Sequence, residues 1–186
     1  MNKKTISYSS FRKHINKICH DINQSNWRPD YVVGLTRGGL LPAVMISHYY
    51  DIPCETLKIC LRDHGNTESN LWMPEDAIGF VQEEDRKANG GWTHLNKYRK
   101  NILVVDDIND SGATLNWLMN DWPKSVAGCF DPNDWTDIWN NNVRFAVVVD
   151  NVASKCNVKM DYCGFEINKA EEDVWIDFPY EDWWTK

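Results

Sequence analysis

An apolar run that passes directly into acidic residues and a glycine is the feature that most restricts the fold of this chain. Residues 101–115 read NILVVDDINDSGATL. The ILVV run is too short for a helix, and it is β-branched enough to form a central strand of a parallel sheet. The GATL segment at the end of residues 101–115 is typical of the first turn of a helix. The sequence therefore predicts a buried strand, a tight acidic loop and a helix in immediate succession.

The loop between this strand and this helix suits a ligand that carries phosphate. Backbone N–H groups at a helix start and the helix dipole both favour negative charge, and the hydroxyls of Ser111 and Thr114 can donate as well. Asp106, Asp107 and Asp110, however, would repel a bare phosphate. A ligand with phosphate at one end and hydroxyl groups or a hydrated metal at the other reconciles these features. The alternative is an ordinary acidic turn in which Asp110 or Ser111 caps the helix.

Periodicity elsewhere in the chain predicts an alternation of helices and strands. A first helix, capped by Ser9 or Ser10, has apolar residues at helical spacing: Phe11, Ile15, Ile18 and Ile22. The other predicted elements are strands over 31–35, 56–61, 143–150 and 162–167 and a helix that includes 40–46. This order predicts an α/β fold with a mainly parallel central sheet, whose ligands lie at the carboxyl ends of the strands.

Two segments interrupt this alternation. Residues 62–100 are largely polar and show no long periodicity, and a stretch of this length is typical of a lid or a flexible excursion. Residues 131–142 form a tryptophan-rich insertion. Both segments could change a lid or an oligomer interface.

A second unusual loop follows the strand over 31–35. The segment GLTRGGLLPA spans residues 34–43, and it places the cationic Arg37 beside Gly38 and Gly39, which let backbone amides approach an oxygen atom closely. An Arg-Gly-Gly sequence also occurs as a plain turn before a helix. Because both loops follow predicted strands, the functional interpretation of each one supports the other.

Together these motifs resemble the type I phosphoribosyltransferase family. VVDDINDSGAT is similar to its phosphoribosyl pyrophosphate motif, and GLTRGGLLPA to its pyrophosphate loop. The tail segment DVWIDFPYED, residues 173–182, is similar to the hood segment of the xanthine-guanine branch. The resemblance implies one domain over 1–186, with a central, mainly parallel sheet flanked by helices and a small hood built partly from residues 168–186.

The resemblance also implies an activity and roles for the residues of both loops. The activity is Mg²⁺-dependent transfer of a 5-phosphoribosyl group from phosphoribosyl pyrophosphate to a nucleobase, with release of pyrophosphate. Residues Thr36, Arg37, Gly38 and Gly39 would hold the pyrophosphate, with Arg37 assisting catalysis and a cis peptide bond between Thr36 and Arg37. Asp106 and Asp107 would hold the ribose hydroxyls and the metal. Residues Asp110, Ser111, Gly112, Ala113 and Thr114 would hold the 5-phosphate, and Asp110 would also handle the proton of the ring nitrogen.

The base site is implied less completely. By resemblance, Trp175 stacks on a purine and the main chain of Ile176 reads its exocyclic group. The family places a lysine just after the strand over 143–150, where it contacts the 6-oxo group, but this chain has Asn151 there. Asn151 can donate to an oxo group, and Lys155 lies nearby, yet ammonium and carboxamide differ in charge and donor number. A 6-oxopurine is the expected base, with less support than the reaction itself.

Composition excludes some partners and sets the cellular context. The net charge of −7 argues against nucleic acid or an anionic membrane as a partner. Six cysteines without a paired pattern predict reduced thiols in a cytoplasmic protein, and no segment has the ~20 apolar residues of a membrane helix. The resemblance implies purine salvage and a homodimer or homotetramer. Two alternatives stay open: a regulatory protein that binds phosphoribosyl pyrophosphate without catalysis, and a nucleotide hydrolase.

Overall fold

The computed structural model describes residues 2–61, 67, 70, 72–80, 97–126 and 132–185. In the described parts of the chain the elements are, in order, β1 (Asn2–Thr5), α1 (Tyr8–Gln24), β2 (Tyr31–Thr36), α2 (Leu40–Tyr50), β3 (Cys54–Lys58), α3 (Trp72–Ile78), β4 (Ile102–Asn109), α4 (Ala113–Ser125), β5 (Val143–Asn151), β6 (Tyr162–Ile167) and β7 (Val174–Asp177). Five strands form a parallel sheet in the order β3-β2-β4-β5-β6. The predicted α/β fold with a parallel sheet is confirmed.

The sheet is covered on both faces, so its strands are apolar at successive positions. Val33 and Val104 face a core that includes Trp122 of α4, whereas Val32 and Leu103 face a second core built with α1 and α2. Neighbouring residues of a strand point to opposite faces. This two-sided burial explains the β-branched runs of β2, β4 and β5.

Helix α1 begins earlier than the predicted capping residues. The cap is Ser7, whose side chain accepts a hydrogen bond from the Ser10 backbone N–H, and the prediction of Ser9 or Ser10 was wrong. The stripe predicted from the spacing is confirmed, since its four apolar residues are fully buried against the sheet. Because Ser7 is the cap, Tyr8 is the first residue of the helix, and its side chain is exposed.

Strands β3 and β4 have different bounds from those predicted, because the neighbouring strands determine where each of them pairs. Strand β3 covers Cys54–Lys58 and not 56–61, because its partner β2 ends at Thr36, opposite Lys58. Strand β4 continues to Asn109, because β5 runs on beside it and pairs Asn109 with Asp150. Asp106 and Asp107 therefore lie on the strand, and the loop itself is only residues 110–112.

Both segments that interrupted the predicted alternation contribute to the core. Helix α3 lies within the 62–100 segment, and its Met73, Ala77 and Ile78 are buried, whereas the role of this segment as a lid or flexible excursion stays a prediction. Residues 62–66, 68–69, 71 and 81–96 lie outside the described part of the chain. In the tryptophan-rich insertion, Trp135 packs on Trp122 with ring centroids 6.5 Å apart. A short 3₁₀ helix, Pro132–Asp137, provides that contact.

The two ends of the chain form a second, smaller sheet. Strand β1 pairs in parallel with β7, from Asn2 beside Val174 to Thr5 beside Asp177. Lys3 and Thr5 both contact the buried Asp177, through an ion pair of 3.5 Å and a hydrogen bond of 3.2 Å. The sequence predicted the C-terminal part of this hood, whereas β1 was not predicted.

Candidate active site

A cavity of about 830 Å³ lies at the carboxyl ends of β2 and β4 and extends to the small sheet. It brings together both loops that the sequence singled out and the tail segment. Of the predicted site residues, Thr36, Arg37, Gly38, Asp106, Asp107, Asp110, Ser111, Gly112, Ala113, Thr114, Trp175 and Ile176 line it. Gly39 and Asn151 are not among its lining residues.

The loop before α4 presents backbone N–H groups to this cavity. Gly112 is the N-cap residue with φ of 84° and has no side chain that could cap the helix, while Ser111 Oγ accepts a hydrogen bond of 3.4 Å from the Ala113 N–H. A Cβ at this position would collide with the backbone of Lys155 and Cys156, which lies directly behind the loop. The loop is held from that side by a hydrogen bond of 3.1 Å from the Lys155 N–H to the Ser111 carbonyl. A helix start that lines a cavity and has a glycine as its N-cap residue is suited to an anion.

The loop after β2 packs tightly against the acidic end of β4. The Thr36–Arg37 peptide bond is cis, as the resemblance implied, and the Arg37 side chain is exposed. Gly38 has no room for a side chain, because the Asp107 carboxylate occupies that space. Gly39 fits closely between the backbones of Leu35 and Val105, where it allows α2 to begin beside the sheet. The loop after β2 is thus in direct contact with the end of β4 that carries Asp107.

The carboxylate of Asp107 is partly buried in the cavity wall and already has donors. Its Oδ1 accepts from the Ile108 backbone N–H at 2.8 Å, and its Oδ2 accepts from the Tyr180 hydroxyl at 2.8 Å. Burial raises the pKa of Asp107, whereas the hydrogen bonds from Tyr180 and the backbone act in the opposite direction. Asp106 lies beside it, and Asp106 Oδ1 accepts from the Asp107 N–H at 2.9 Å.

Asp110 forms an ion pair that sequence reasoning missed. The Lys169 ammonium lies 2.7 Å from Asp110 Oδ1, and the side chains are only 21% and 34% exposed. Lys169 lines the cavity, yet it comes from the loop between β6 and β7, and no spacing or motif in the sequence marks it. Lys155, the lysine that lies close to Asn151 in sequence, is not among the lining residues.

Asn151 holds both partners of that ion pair through their backbones. Its amide donates to the Asp110 carbonyl at 2.8 Å, and its Oδ1 accepts from the Lys169 N–H at 3.0 Å. The side chain is buried, with 5% exposure. All of these bonds lie within the protein, so the geometry supports a positioning role for Asn151 more than the predicted contact with a base. The signal for this role is tertiary and cannot be read from the sequence.

Aromatic side chains form the opposite part of the cavity wall. Trp175 is 39% exposed on β7, whereas the neighbouring Ile176 is buried. Tyr180 and Trp184 of the tail also line the cavity. An exposed indole ring in the same cavity as a carboxylate and an ammonium is suited to a flat ligand that also forms hydrogen bonds.

The carboxylates fit a metal that arrives together with a substrate. Among the described residues, no three His, Cys, Asp or Glu side chains are grouped closely enough to hold an ion. Mg²⁺ commonly keeps several waters and is bound by one or two carboxylates plus substrate phosphates. The adjacent Asp106 and Asp107 at the edge of the cavity match that donor set.

The chain is similar to several known proteins over most of its length. It is 26% identical over 156 residues to the xanthine-guanine phosphoribosyltransferase of Cereibacter sphaeroides, which covers 83% of this chain and 70% of that protein. It is 26% identical over 129 residues to xanthine phosphoribosyltransferase 1 of Saccharomyces cerevisiae, covering 66% of this chain and 61% of that protein. The crystal structure of a purine phosphoribosyltransferase from Pyrococcus horikoshii has the same fold, with a TM-score of 0.62 and 21% identity, over 98% of this chain and 96% of that chain.

None of the described helices is long and apolar enough to span a membrane.

A family model and the geometry of the cavity agree on the family of this chain. The model for the phosphoribosyl transferase domain matches residues 7–182, a range that includes both loops, the ion pair and the tail segment. The chain therefore belongs to the phosphoribosyltransferase family.

Proposed function

We propose that this protein is a phosphoribosyltransferase that transfers the 5-phosphoribosyl group of phosphoribosyl pyrophosphate to a ring nitrogen of a 6-oxopurine and releases pyrophosphate. One observation carries the proposal. A single cavity joins a helix start with a glycine N-cap, two strand-end aspartates, an arginine-glycine loop and a wall with an exposed tryptophan. These groups match, in order, a phosphate, ribose hydroxyls, a pyrophosphate and a base.

The phosphorylated substrate would lie across the two loops. Its 5-phosphate would accept hydrogen bonds from the backbone at residues 110–114, where the helix dipole favours negative charge. Its pyrophosphate would lie at residues 36–39 beside the Arg37 guanidinium, which pairs with phosphate oxygens in a planar fork. Asp106 and Asp107 would accept from the ribose hydroxyls. This placement brings the anionic groups of the ligand to donors and its hydroxyls to acceptors.

The same two aspartates would hold Mg²⁺, with the remaining positions filled by water and by substrate oxygens. Bound there, the ion would neutralise charge on the departing pyrophosphate. Arg37 supports that departure from the protein side, and the loops position carbon-1 of the ribose, where positive charge develops, next to the base.

The base would stack on Trp175 with its polar edge toward the Lys169–Asp110 pair. A 6-oxopurine presents an acceptor oxygen close to a ring N–H donor, which matches an ammonium beside a carboxylate. Adenine has an amino group in place of the oxygen. Both this amino group and the Lys169 ammonium are donors, so they cannot form a hydrogen bond with each other. Asp110 would take the ring-nitrogen proton as the new bond forms.

Base preference can be measured on a panel with a common readout. Wild-type protein is incubated with phosphoribosyl pyrophosphate, Mg²⁺ and one of guanine, xanthine, hypoxanthine, adenine or uracil, and pyrophosphate release is followed. We expect the three 6-oxopurines to be used in preference to adenine and uracil. A protein that uses adenine or uracil best would contradict the assigned base.

Replacing Trp175 with alanine is expected to raise the KM for the base by about tenfold or more, since a base stacked on an aromatic ring is worth ~1–3 kcal/mol. The KM for phosphoribosyl pyrophosphate should stay close to the wild-type value. Trp72→Ala is a matched control, because Trp72 is similarly exposed, at 42%, and is not among the lining residues. Equal KM values for the base in both variants would show that Trp175 does not stack on it.

Replacing Lys169 with methionine is expected to lower the ratio of kcat/KM for hypoxanthine to kcat/KM for adenine by about tenfold or more, the usual size for loss of a hydrogen bond to a charged group. The ratio is the measurement of choice, because the loss of the cation beside Asp110 also affects every base. Lys155→Met is the control, since Lys155 is not among the lining residues. An unchanged ratio in Lys169→Met would contradict this assignment.

We further propose a homodimer or homotetramer that acts in purine salvage in the cytoplasm, and a single domain over residues 1–186. The absence of disulfides among the five described cysteines supports a reducing compartment. Sedimentation velocity measures the assembly, and a monomer at assay concentration would contradict it.

A further inference from the structure

Tyr180 lies just after β7 and its ring packs on two other aromatic rings. It stacks on Phe178, with ring centroids 5.4 Å apart and an interplanar angle of 11°. It also meets Phe11 of α1 edge to face, at 5.8 Å and 82°. Phe178 packs on the same Phe11 ring at 6.4 Å. These three rings join the tail to the first helix, and they place the ring of Tyr180 independently of its hydroxyl.

The hydroxyl of Tyr180 connects three parts of the site. Its oxygen is 2.8 Å from Asp107 Oδ2 at the end of β4 and 3.3 Å from the Gly38 carbonyl in the loop after β2. A phenol has one proton, so the short bond goes to the carboxylate, and the carbonyl is a second acceptor within reach. The tail is thereby tied to the two loops that would hold the ribose and the pyrophosphate.

Asp107 depends on this hydroxyl for its position. The carboxylate fills the space beside Gly38, so it joins the end of β4 to the loop after β2. Its other oxygen has its own donor, the Ile108 N–H. Removal of the phenol oxygen would leave Oδ2 without that donor, and a partly buried carboxylate in that state turns or moves to regain one. Any such movement also shifts the loop that contains Gly38.

We propose that the Tyr180 hydroxyl is a positioning group that holds Asp107 and the Gly38 loop in the geometry required for phosphoribosyl pyrophosphate, so that the tail organises the pyrophosphate end of the cavity as well as covering the base. This inference rests on the proposed function for the identity of the substrate. Tyr180 acts through Asp107 and need not contact the reacting atoms.

The test is Tyr180→Phe, which removes only the oxygen and keeps the three-ring contact. We expect the KM for phosphoribosyl pyrophosphate to rise by about tenfold, the usual effect of one hydrogen bond to a charged group, while the KM for the base changes by less than about twofold. Tyr50→Phe is a closely matched control. The Tyr50 hydroxyl also has two acceptors, the Cys19 carbonyl at 2.9 Å and Asn23 Oδ1 at 3.1 Å, and Tyr50 is not a lining residue.

Two outcomes would overturn the proposal. The first is that Tyr180→Phe and Tyr50→Phe bind phosphoribosyl pyrophosphate equally well, which would make the hydroxyl a merely structural donor. The second is that Tyr180→Phe weakens binding as much in an Asp107→Ala background, which removes the acceptor, as alone, because a group that acts through Asp107 must lose its effect there. Calorimetric titration measures this binding without turnover. Failure of the proposed function shows separately, as absence of nucleotide product from the wild type.

A measurement on the wild type covers the case in which Tyr180→Phe does not fold. Hydrogen exchange is followed with and without phosphoribosyl pyrophosphate and Mg²⁺. We expect slower exchange in residues 178–182 as well as in residues 36–39, since the hydroxyl links the two segments. Slower exchange in residues 36–39 alone would overturn the link.

Discussion

Asp110→Asn is expected to lower kcat by on the order of 10²-fold or more, the usual contribution of general acid–base catalysis. Asparagine keeps the size of the side chain and can still accept a hydrogen bond from Lys169, which lies 2.7 Å from Asp110 Oδ1 in the structure. It cannot take up a proton at neutral pH. The backbone carbonyl of Asp110, bonded to Asn151, is unaltered by the substitution. The loop should therefore keep its shape, and binding of phosphoribosyl pyrophosphate should stay close to that of the wild type.

Asp76→Asn is the matched control for this substitution. Asp76 also pairs with a lysine, Lys100, at 3.0 Å, and it is not among the cavity-lining residues. Both variants lose one Asp–Lys ion pair, and only one of them loses the carboxylate inside the cavity. A kcat for Asp110→Asn that matches the kcat of Asp76→Asn would contradict the role of Asp110, and Asp110 would then be only a loop carboxylate.

The second large effect is expected from Gly112→Ala. An L-residue at the φ of 84° found for Gly112 is strained by ~1–3 kcal/mol. The new methyl group would also collide with the backbone of Lys155 and Cys156, which cannot move as a flexible side chain would. We expect the free energy of unfolding to fall by at least that strain and the affinity for phosphoribosyl pyrophosphate to fall by more than about tenfold, because the displaced N–H groups no longer meet the phosphate.

Gly79→Ala separates the two effects of that substitution. Gly79 also has a positive φ, 73°, and lies just after α3, away from the cavity-lining residues. Denaturant unfolding and calorimetric titration on both variants are the measurements. Gly79→Ala should lose stability and keep its affinity for phosphoribosyl pyrophosphate. If Gly112→Ala binds as tightly as Gly79→Ala does, the phosphate is not held by this loop.

Local sequence predicted those parts of the fold that depend on short-range patterns. The ILVV run of β4 and the stripe of α1 are buried as expected. A strand that is covered on both faces has a continuous apolar run, and a helix that packs on a sheet has apolar residues at helical spacing, so both patterns are visible in the sequence. The glycines and acids of the two loops were recognisable for the same reason. Each loop needs particular residue types at consecutive positions, and such a pattern can be recognised directly in the sequence.

Contacts between distant segments could not be predicted in this way. Strand β1 pairs with β7 across the whole length of the chain, and its exposed, polar sequence has no strand pattern of its own. The extension of β4 through Asp106 and Asp107 depends on pairing with β5. Lys169 pairs with Asp110 at a point where the Asn151 side chain is hydrogen-bonded to the backbones of both residues. In each case the deciding partner lies more than thirty residues away or in another loop.

The most direct measurement is the stoichiometry of product formation by the wild type. Protein is incubated with phosphoribosyl pyrophosphate and Mg²⁺, with and without guanine, and nucleotide, pyrophosphate and inorganic phosphate are quantified together. We predict one nucleoside 5-monophosphate for each pyrophosphate, formed only when the base is present. Binding of phosphoribosyl pyrophosphate without turnover of any base would contradict the enzyme and support a regulatory protein, and phosphate release without a base would support a hydrolase.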